Sequence, residues 1–169
     1  MASVKEAKDL ISNEKFREAG RLLDRLIRKK ESHELWYLRG VVSLKLRSYD
    51  AAIEAFERAN MMRKSALYLR MKGVAKMELF ELEQAIEDFQ ESLLLEPNNL
   101  LSNFYTAICY MFLDDPSSAK YLRKAYSINK KRTKQLLNNF YIMFFRKDPL
   151  VSRAIKEDLK RRIDQIEAN

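Results

Sequence analysis

The chain has 169 residues, 47% of them hydrophobic and 33% charged, with a net charge of +8 at neutral pH; that length suits one folded unit with its own core. Three glycines and three prolines, where the two types together usually make up about 12% of a chain, argue against a turn-rich all-β fold, and the wealth of Ala, Leu, Glu, Lys and Arg favours helices. A single cysteine excludes an internal disulfide; no basic-then-apolar leader opens the chain and no apolar stretch is long enough to span about 30 Å of hydrocarbon, so a reducing cytoplasm is the expected setting.

Helical spacing predicts helices in pairs over 3–13 and 16–29, 34–47 and 50–63, 66–79 and 82–95, then 99–113 and 116–128. Pro97 closes the third pair, while Asp115-Pro116 and Asp148-Pro149 each set an N-capping acid before a proline suited to a first helical turn. Two more helices follow. One, over 132–146, is heavily apolar with Leu136, Leu137, Phe140, Tyr141, Met143, Phe144 and Phe145; the other, over 149–167, carries a stripe at Val151, Ile155, Leu159, Ile163 and Ile166. That stripe must be buried. Capping the end of the array is the preferred reading, beside folding back into a groove or docking on another chain.

A glycine inside a helical run costs about 1 kcal/mol relative to alanine, so Gly40 and Gly73 need a reason. Shifting the chain by 33 residues sets Gly40 over Gly73, Ala52 over Ala85, Ile53 over Ile86 and Phe56 over Phe89, and carries Ala7 to Gly40 and Ala19 to Ala52. Past residue 98 the match resumes one residue later, with Gly73 falling on Ala107, and the second half of that unit puts Ser118, Leu122 and Ala125 in the places of Ala85, Phe89 and Ser92. A period in the low thirties signals stacked helical pairs. The small residues then mark crossings where one helix approaches another closely; Ala is expected to be tolerated at either glycine, since Ala107 fills the matching place.

Residues 33–65, with Trp36, Gly40, Tyr49, Ala52, Phe56 and Ala59, resemble a tetratricopeptide repeat. Residues 66–99 repeat the pattern with Leu69, Gly73, Ala85, Phe89 and Pro97, and 100–132 more loosely with Ala107, Tyr110 and Ser118. Arg39 and Lys72 stand where the pattern wants apolar residues, Ser43 and Lys76 where it wants Tyr. The resemblance implies an all-α right-handed superhelix of stacked antiparallel helix pairs, a TPR-like α-solenoid with C-terminal capping helices. It would be one domain over 1–169, with units near 1–32, 33–65, 66–99 and 100–132.

No catalytic constellation emerges. His33 and Cys109 are each the only residue of their kind and fall in different repeats, and no CxxC, HExxH, phosphate-cradling Gly-rich loop or acidic calcium loop occurs. No metal, cofactor or enzymatic activity is expected. Cys109 reads as a small core residue and His33 as a solvated group at a helix start.

What the resemblance implies is a scaffold binding a peptide or helix of a partner protein in a concave groove lined by the first helix of each pair: Tyr37, Val41 and Leu44; Arg70, Val74 and Met77; Phe104, Tyr105, Ile108 and Met111. Part of this stripe is equally open to being ordinary core. The Lys, Asn, Asn, Lys, Arg clamp by which one subgroup grips a chaperone's terminal carboxylate is missing: its places hold Val4, Lys8, Leu38, Leu67 and Met71 in one frame and Tyr37, Val41, Met71, Leu101 and Tyr105 in the next. Charge offers the alternative. Residues 120–169 contain 14 Lys and Arg against five Asp and Glu, whereas 1–119 contain 18 against 19. A patch at Lys130, Lys131, Arg132 and Lys134 suits nucleic acid or an acidic partner, or is a solvated face that keeps the array soluble.

Overall fold

The computed structural model describes residues 3–143 together with Arg153, Glu157 and Arg161. Among these residues the chain forms helices and no strand: α1 (Val4–Ser12), α2 (Phe16–Lys29), α3 (His33–Lys45), α4 (Tyr49–Met62), α5 (Ala66–Glu78), α6 (Leu82–Leu95), α7 (Leu100–Phe112), α8 (Ser117–Ile128) and α9 (Lys130–Tyr141). Through α8 the ends lie within two residues of those expected from spacing. The ninth helix starts earlier, at Lys130 directly after the Asn129 cap. Of the helix expected over 149–167 only three positions are described; its apolar stripe and the Asp148-Pro149 cap lie outside the described residues.

Helices α1, α3, α7 and α9 begin on side-chain caps, where Ser3, Ser32, Asn99 and Asn129 accept the N–H of Glu6, Leu35, Ser102 and Arg132, whereas Ser65 before α5 makes no such bond. Helices α1, α3, α5 and α7 also end alike: the N–H groups of Lys15, Ser48, Glu81 and Asp115 bond back to the carbonyls of Leu10, Ser43, Lys76 and Tyr110. That closure needs a left-handed residue, usually glycine. Here Glu14, Arg47, Phe80 and Asp114 adopt it, with φ between 53° and 61°.

Consecutive helices pack in chain order, each pair on the next. In the two central pairs the tightest approach is between a glycine and a phenylalanine ring. A Cβ added to Gly40 would stand 2.5 Å from Phe56 Cε1, and one added to Gly73 would stand 2.7 Å from Phe89 Cε1. Each ring occupies the space a Cβ would need, which corrects the expectation that Ala is harmless there. Ala7 and Ala107 fill the small position in the outer pairs because their ring places hold the smaller Leu23 and Leu122, buried in the same clusters.

The departures from the repeat pattern form a polar seam between units. Arg39 Nε lies 2.7 Å from Asp24 Oδ1, and its Nη1 donates to Ser43 Oγ at 2.7 Å. One unit on, Lys72 Nζ reaches Glu57 Oε2 at 2.6 Å and Asp88 Oδ1 at 2.9 Å, while Lys76 Nζ stands 2.8 Å from Asp88 Oδ2, a charge contact without hydrogen-bond alignment. In the third seam Gln90 Nε2 donates to the hydroxyls of Tyr110 and Tyr121. Burial draws the Lys72 ammonium down, but hydrogen bonds to Glu57 and Asp88 outweigh it and raise its pKa above the ordinary 10.5. A raised lysine stabilises fully below its unfolded value, and this contribution fades as pH climbs through the higher folded one.

Two predictions follow from these contacts. Gly40→Ala should destabilise by about 1 to 3 kcal/mol through overpacking, whereas Gly40→Ala with Phe56→Leu should fall short of the summed single effects by about 1 kcal/mol; urea unfolding of the four-member cycle measures this, and strict additivity would show the ring contact to be unimportant. Asp88→Ala leaves two ammonium groups facing each other and should cost about 3 kcal/mol, against no more than about 1 kcal/mol for Asp24→Ala at its half-exposed pair.

Candidate partner-binding face

Tyr37, Val41 and Leu44 occupy one face of α3 at helical spacing, and all three are half-buried against a cluster of Ala52, Phe56 and Ala75. The Tyr37 ring stacks on Tyr68 at 5.2 Å between centroids and tilts onto Phe56 at 6.0 Å. On α5, Val74 and Met77 pack against Leu82, Ile86, Phe89 and Cys109, and Arg70 stands half-buried one turn before Val74. On α7, Tyr105 stacks on Phe89 at 5.6 Å and Met111 is half-buried. These side chains combine interhelix packing with an accessible edge.

Phe104 and Ile108 do not belong to an open face. They are 3% and 1% exposed, in a core cluster with Ala107, Leu122, Ala125 and Leu137. The reason is α9, which repeats the role of a first helix in the next layer: Leu137 enters the core, and Leu136, Phe140 and Tyr141 close over α7 from that side. The sequence showed an apolar helix there but not which surface it covers.

Lys130, Lys131 and Arg132 are exposed in the first turn of α9, which carries no acidic residue, while Lys134 is half-buried. Positive charge at a helix N-terminus opposes the helix dipole. Burial raises the Tyr105 hydroxyl above its ordinary value; Arg70 and Arg132 pull it down and Glu78 adds to the rise. Glu78 itself accepts from the Tyr49 hydroxyl at 3.1 Å.

His33 opens α3 as expected, but it is half-buried and its Nδ1 lies 2.8 Å from the Tyr68 hydroxyl, so it is tied into the packing beneath Tyr37. Cys109 is fully buried, and burial pushes its thiol up to about 12. Among the described residues no group of three or more His, Cys, Asp or Glu side chains could hold a metal ion, and no helix is long and apolar enough to cross a membrane.

Two family models described as tetratricopeptide repeat match residues 4–61 and 68–99. The chain belongs to the tetratricopeptide repeat family. Solved structures agree on the fold. A MamA crystal structure superposes with a TM-score of 0.74 at 14% identity, covering 98% of this chain and 94% of that one. MamA from Desulfovibrio magneticus RS-1 gives 0.71 at 16%, covering 96% and 91%. YrrB, described as a TPR protein with an unusual peptide-binding site, gives 0.68 at 20%, covering 74% and 66%. No curated protein sequence matches the chain.

One surface residue of this tetratricopeptide array escaped the sequence reading. Phe80 is 65% exposed in the left-handed turn after α5, where the other repeats carry Glu14, Arg47 and Asp114, and its ring tilts onto Phe112 at 5.5 Å, which meets Phe140 at 5.6 Å. The repeat alignment itself held the signal: a phenylalanine at a place otherwise polar. A bulky residue with positive φ is strained, so Phe80→Gly should raise stability by about 1 kcal/mol, read as a higher urea midpoint with unchanged slope.

Proposed function

We propose that the protein is a non-enzymatic interaction scaffold, working in the cytoplasm, which receives a peptide or helix of a partner protein along the shared face of α3, α5 and α7. The observation that carries this reading is the row of half-buried apolar and aromatic side chains at matching places of successive repeats: Tyr37, Val41 and Leu44, then Val74 and Met77, then Tyr105 and Met111. Such side chains present apolar area already held in place by their neighbours, so little further ordering is needed on binding. Aromatic anchors of this kind carry most of the energy at protein interfaces. The family, and a structural relative described by its peptide-binding site, support the same class of function. Recognition here needs no covalent step; the surface is formed before the partner arrives. Phe104 and Ile108 support the face from beneath.

A second reading has its own observation. Lys130, Lys131 and Arg132 sit where the dipole of α9 disfavours them, and that placement suits binding of nucleic acid or an acidic partner.

Capture of partners from native extract on the immobilised chain distinguishes the two. Val74→Glu should abolish capture with helical far-UV dichroism retained and only a lowered melting midpoint, since a carboxylate there sits beside the Phe89 cluster, and nuclease should make no difference. Loss of capture on nuclease treatment, or with Lys130→Glu and Lys131→Glu while Val74→Glu still binds, would favour the basic patch. Phe104→Ala should instead lower stability by about 3 to 5 kcal/mol, the expected effect of emptying a core site.

A further inference from the structure

We propose that the chain associates with a second copy of itself through the second helices of its pairs, the basic stripe Arg17, Arg21 and Arg25 on α2 of one copy lying along the acidic stripe Glu83, Glu87 and Glu91 on α6 of the other. The face proposed above belongs to α3, α5 and α7 and stays free.

The 33-residue repeat relates the two stripes. Residues 17, 21 and 25 fall on 50, 54 and 58 and then on 83, 87 and 91. Spaced by four, they share one side of each helix, opposite the buried Ala19 and Leu23 of α2 and the buried Ala85 and Phe89 of α6. Arg17, Arg21 and Arg25 are exposed, as are Glu83 and Glu87, with Glu91 half-buried. The sign of the charge changes along the array at these same places: arginines in the first unit, Asp50, Glu54 and Arg58 in the second, glutamates in the third, and Lys120 and Lys124 after Pro116 in the fourth. Like charges at this spacing oppose the helix that carries them, so solvation alone gives no reason for one sign to hold along a whole helix and reverse two units on.

The helices themselves offer these stripes little. The other acids of α2 are Glu18 and Asp24, and Asp24 is held by Arg39 at 2.7 Å. Helix α6 has no lysine or arginine; Lys64 reaches Glu91 at 2.9 Å. In one chain α2 and α6 stand two units apart, about 20 Å, so only another copy brings one stripe to the other.

The fit is place on place. Both stripes step by four residues, about 6 Å, and with the helices parallel Arg17, Arg21 and Arg25 meet Glu83, Glu87 and Glu91, each guanidinium able to take a carboxylate through two N–H bonds. One step further stand Arg28 on α2 and Leu94 on α6. Leu94 is 82% exposed, the most of any large apolar residue described. At the facing end of the α2 stripe lies a hollow of about 300 Å³ lined by Arg25, Leu26, Arg28 and Lys29. A leucine side chain seated there leaves water with arginine stems lying over it, an apolar anchor beside the charged pairs. Helix α8 has two lysines and a proline at the same places, and a lysine lacks the planar fork that matches a carboxylate.

Sedimentation velocity of the full chain tests the contact. At low salt the mass should rise with concentration above the 20.0 kDa of one chain, and raising salt from about 0.05 to 0.5 M should weaken the association about tenfold or more. Arg17→Glu with Arg21→Glu and Arg25→Glu should sediment as a monomer, as should Glu83→Arg with Glu87→Arg, each with melting unchanged because the sites are exposed. An equal mixture of these two variants should associate again, since each keeps the stripe the other has lost. Leu94→Ser should weaken the association about tenfold, and Lys120→Glu with Lys124→Glu should leave it intact. A monomer at every concentration, association indifferent to salt or to the arginine variant, or a mixture that stays monomeric overturns the proposal. Loss of association in the Lys120 and Lys124 variant overturns it in favour of α8, and loss on nuclease treatment overturns it in favour of a bridging nucleic acid.

Discussion

A phenylalanine ring laid against the backbone of a facing helix sets the geometry of the two central repeats. At Gly40 and Gly73 there is no room for even one carbon beyond the backbone, so the paired helices approach to the thickness of a ring. Phe56 and Phe89 are in turn fully buried. The outer pairs set alanine with leucine in the same buried clusters, dividing the volume differently between the two sides. Interiors pack at nearly crystalline density, so a small residue on one helix calls for a larger one facing it. Every later feature of the array depends on that spacing, because each pair is the platform on which the next is stacked.

Between pairs the chain uses charge where many repeats use apolar side chains. Arg39 with Asp24 and Lys72 with Glu57 bridge successive units at the same repeat positions, Asp88 ties Lys72 and Lys76 together within their own unit, and Gln90 with two tyrosines completes the series. Arg39 and Lys72 each find an acid 15 residues earlier, in the preceding repeat, while Lys76 shares Asp88 with Lys72 inside its own repeat. Such pairs add little net stability when exposed, but a seam that satisfies its charges only in one alignment disfavours slipped stacking of otherwise similar repeats.

The last described helix changes what the array presents. By laying Leu137 into the core beside Ile108, α9 turns two residues of the candidate face into its foundation, while Tyr105 stays half-buried between the clusters around Phe89 and Leu137. It also brings three basic residues to a helix end that disfavours them. Phe80, strained and exposed beside Phe112, is a second local departure at the same end of the array. Local choices that run against stability tend to cluster where a protein meets something else.

The sequence by itself determined the helices, their pairing and the family. Those depend on local spacing and on a repeat of 33 residues that residues 1–98 carry closely and 100–132 more loosely, which is why Gly40, Ala52 and Phe56 could be assigned roles from alignment of the chain with itself. The tertiary structure decided what repetition cannot encode. It showed that Gly40 excludes even alanine, because the limit is set by a ring 16 residues away. It gave Arg39 and Lys72 their acids on neighbouring helices. It moved Phe104 and Ile108 from surface to core, because burial depends on which helix arrives next, and the helix that arrives, α9, does not follow the repeat. Periodicity fixes which face of a helix is apolar; only packing decides whether that face ends against the chain's own helices or stays open to a partner.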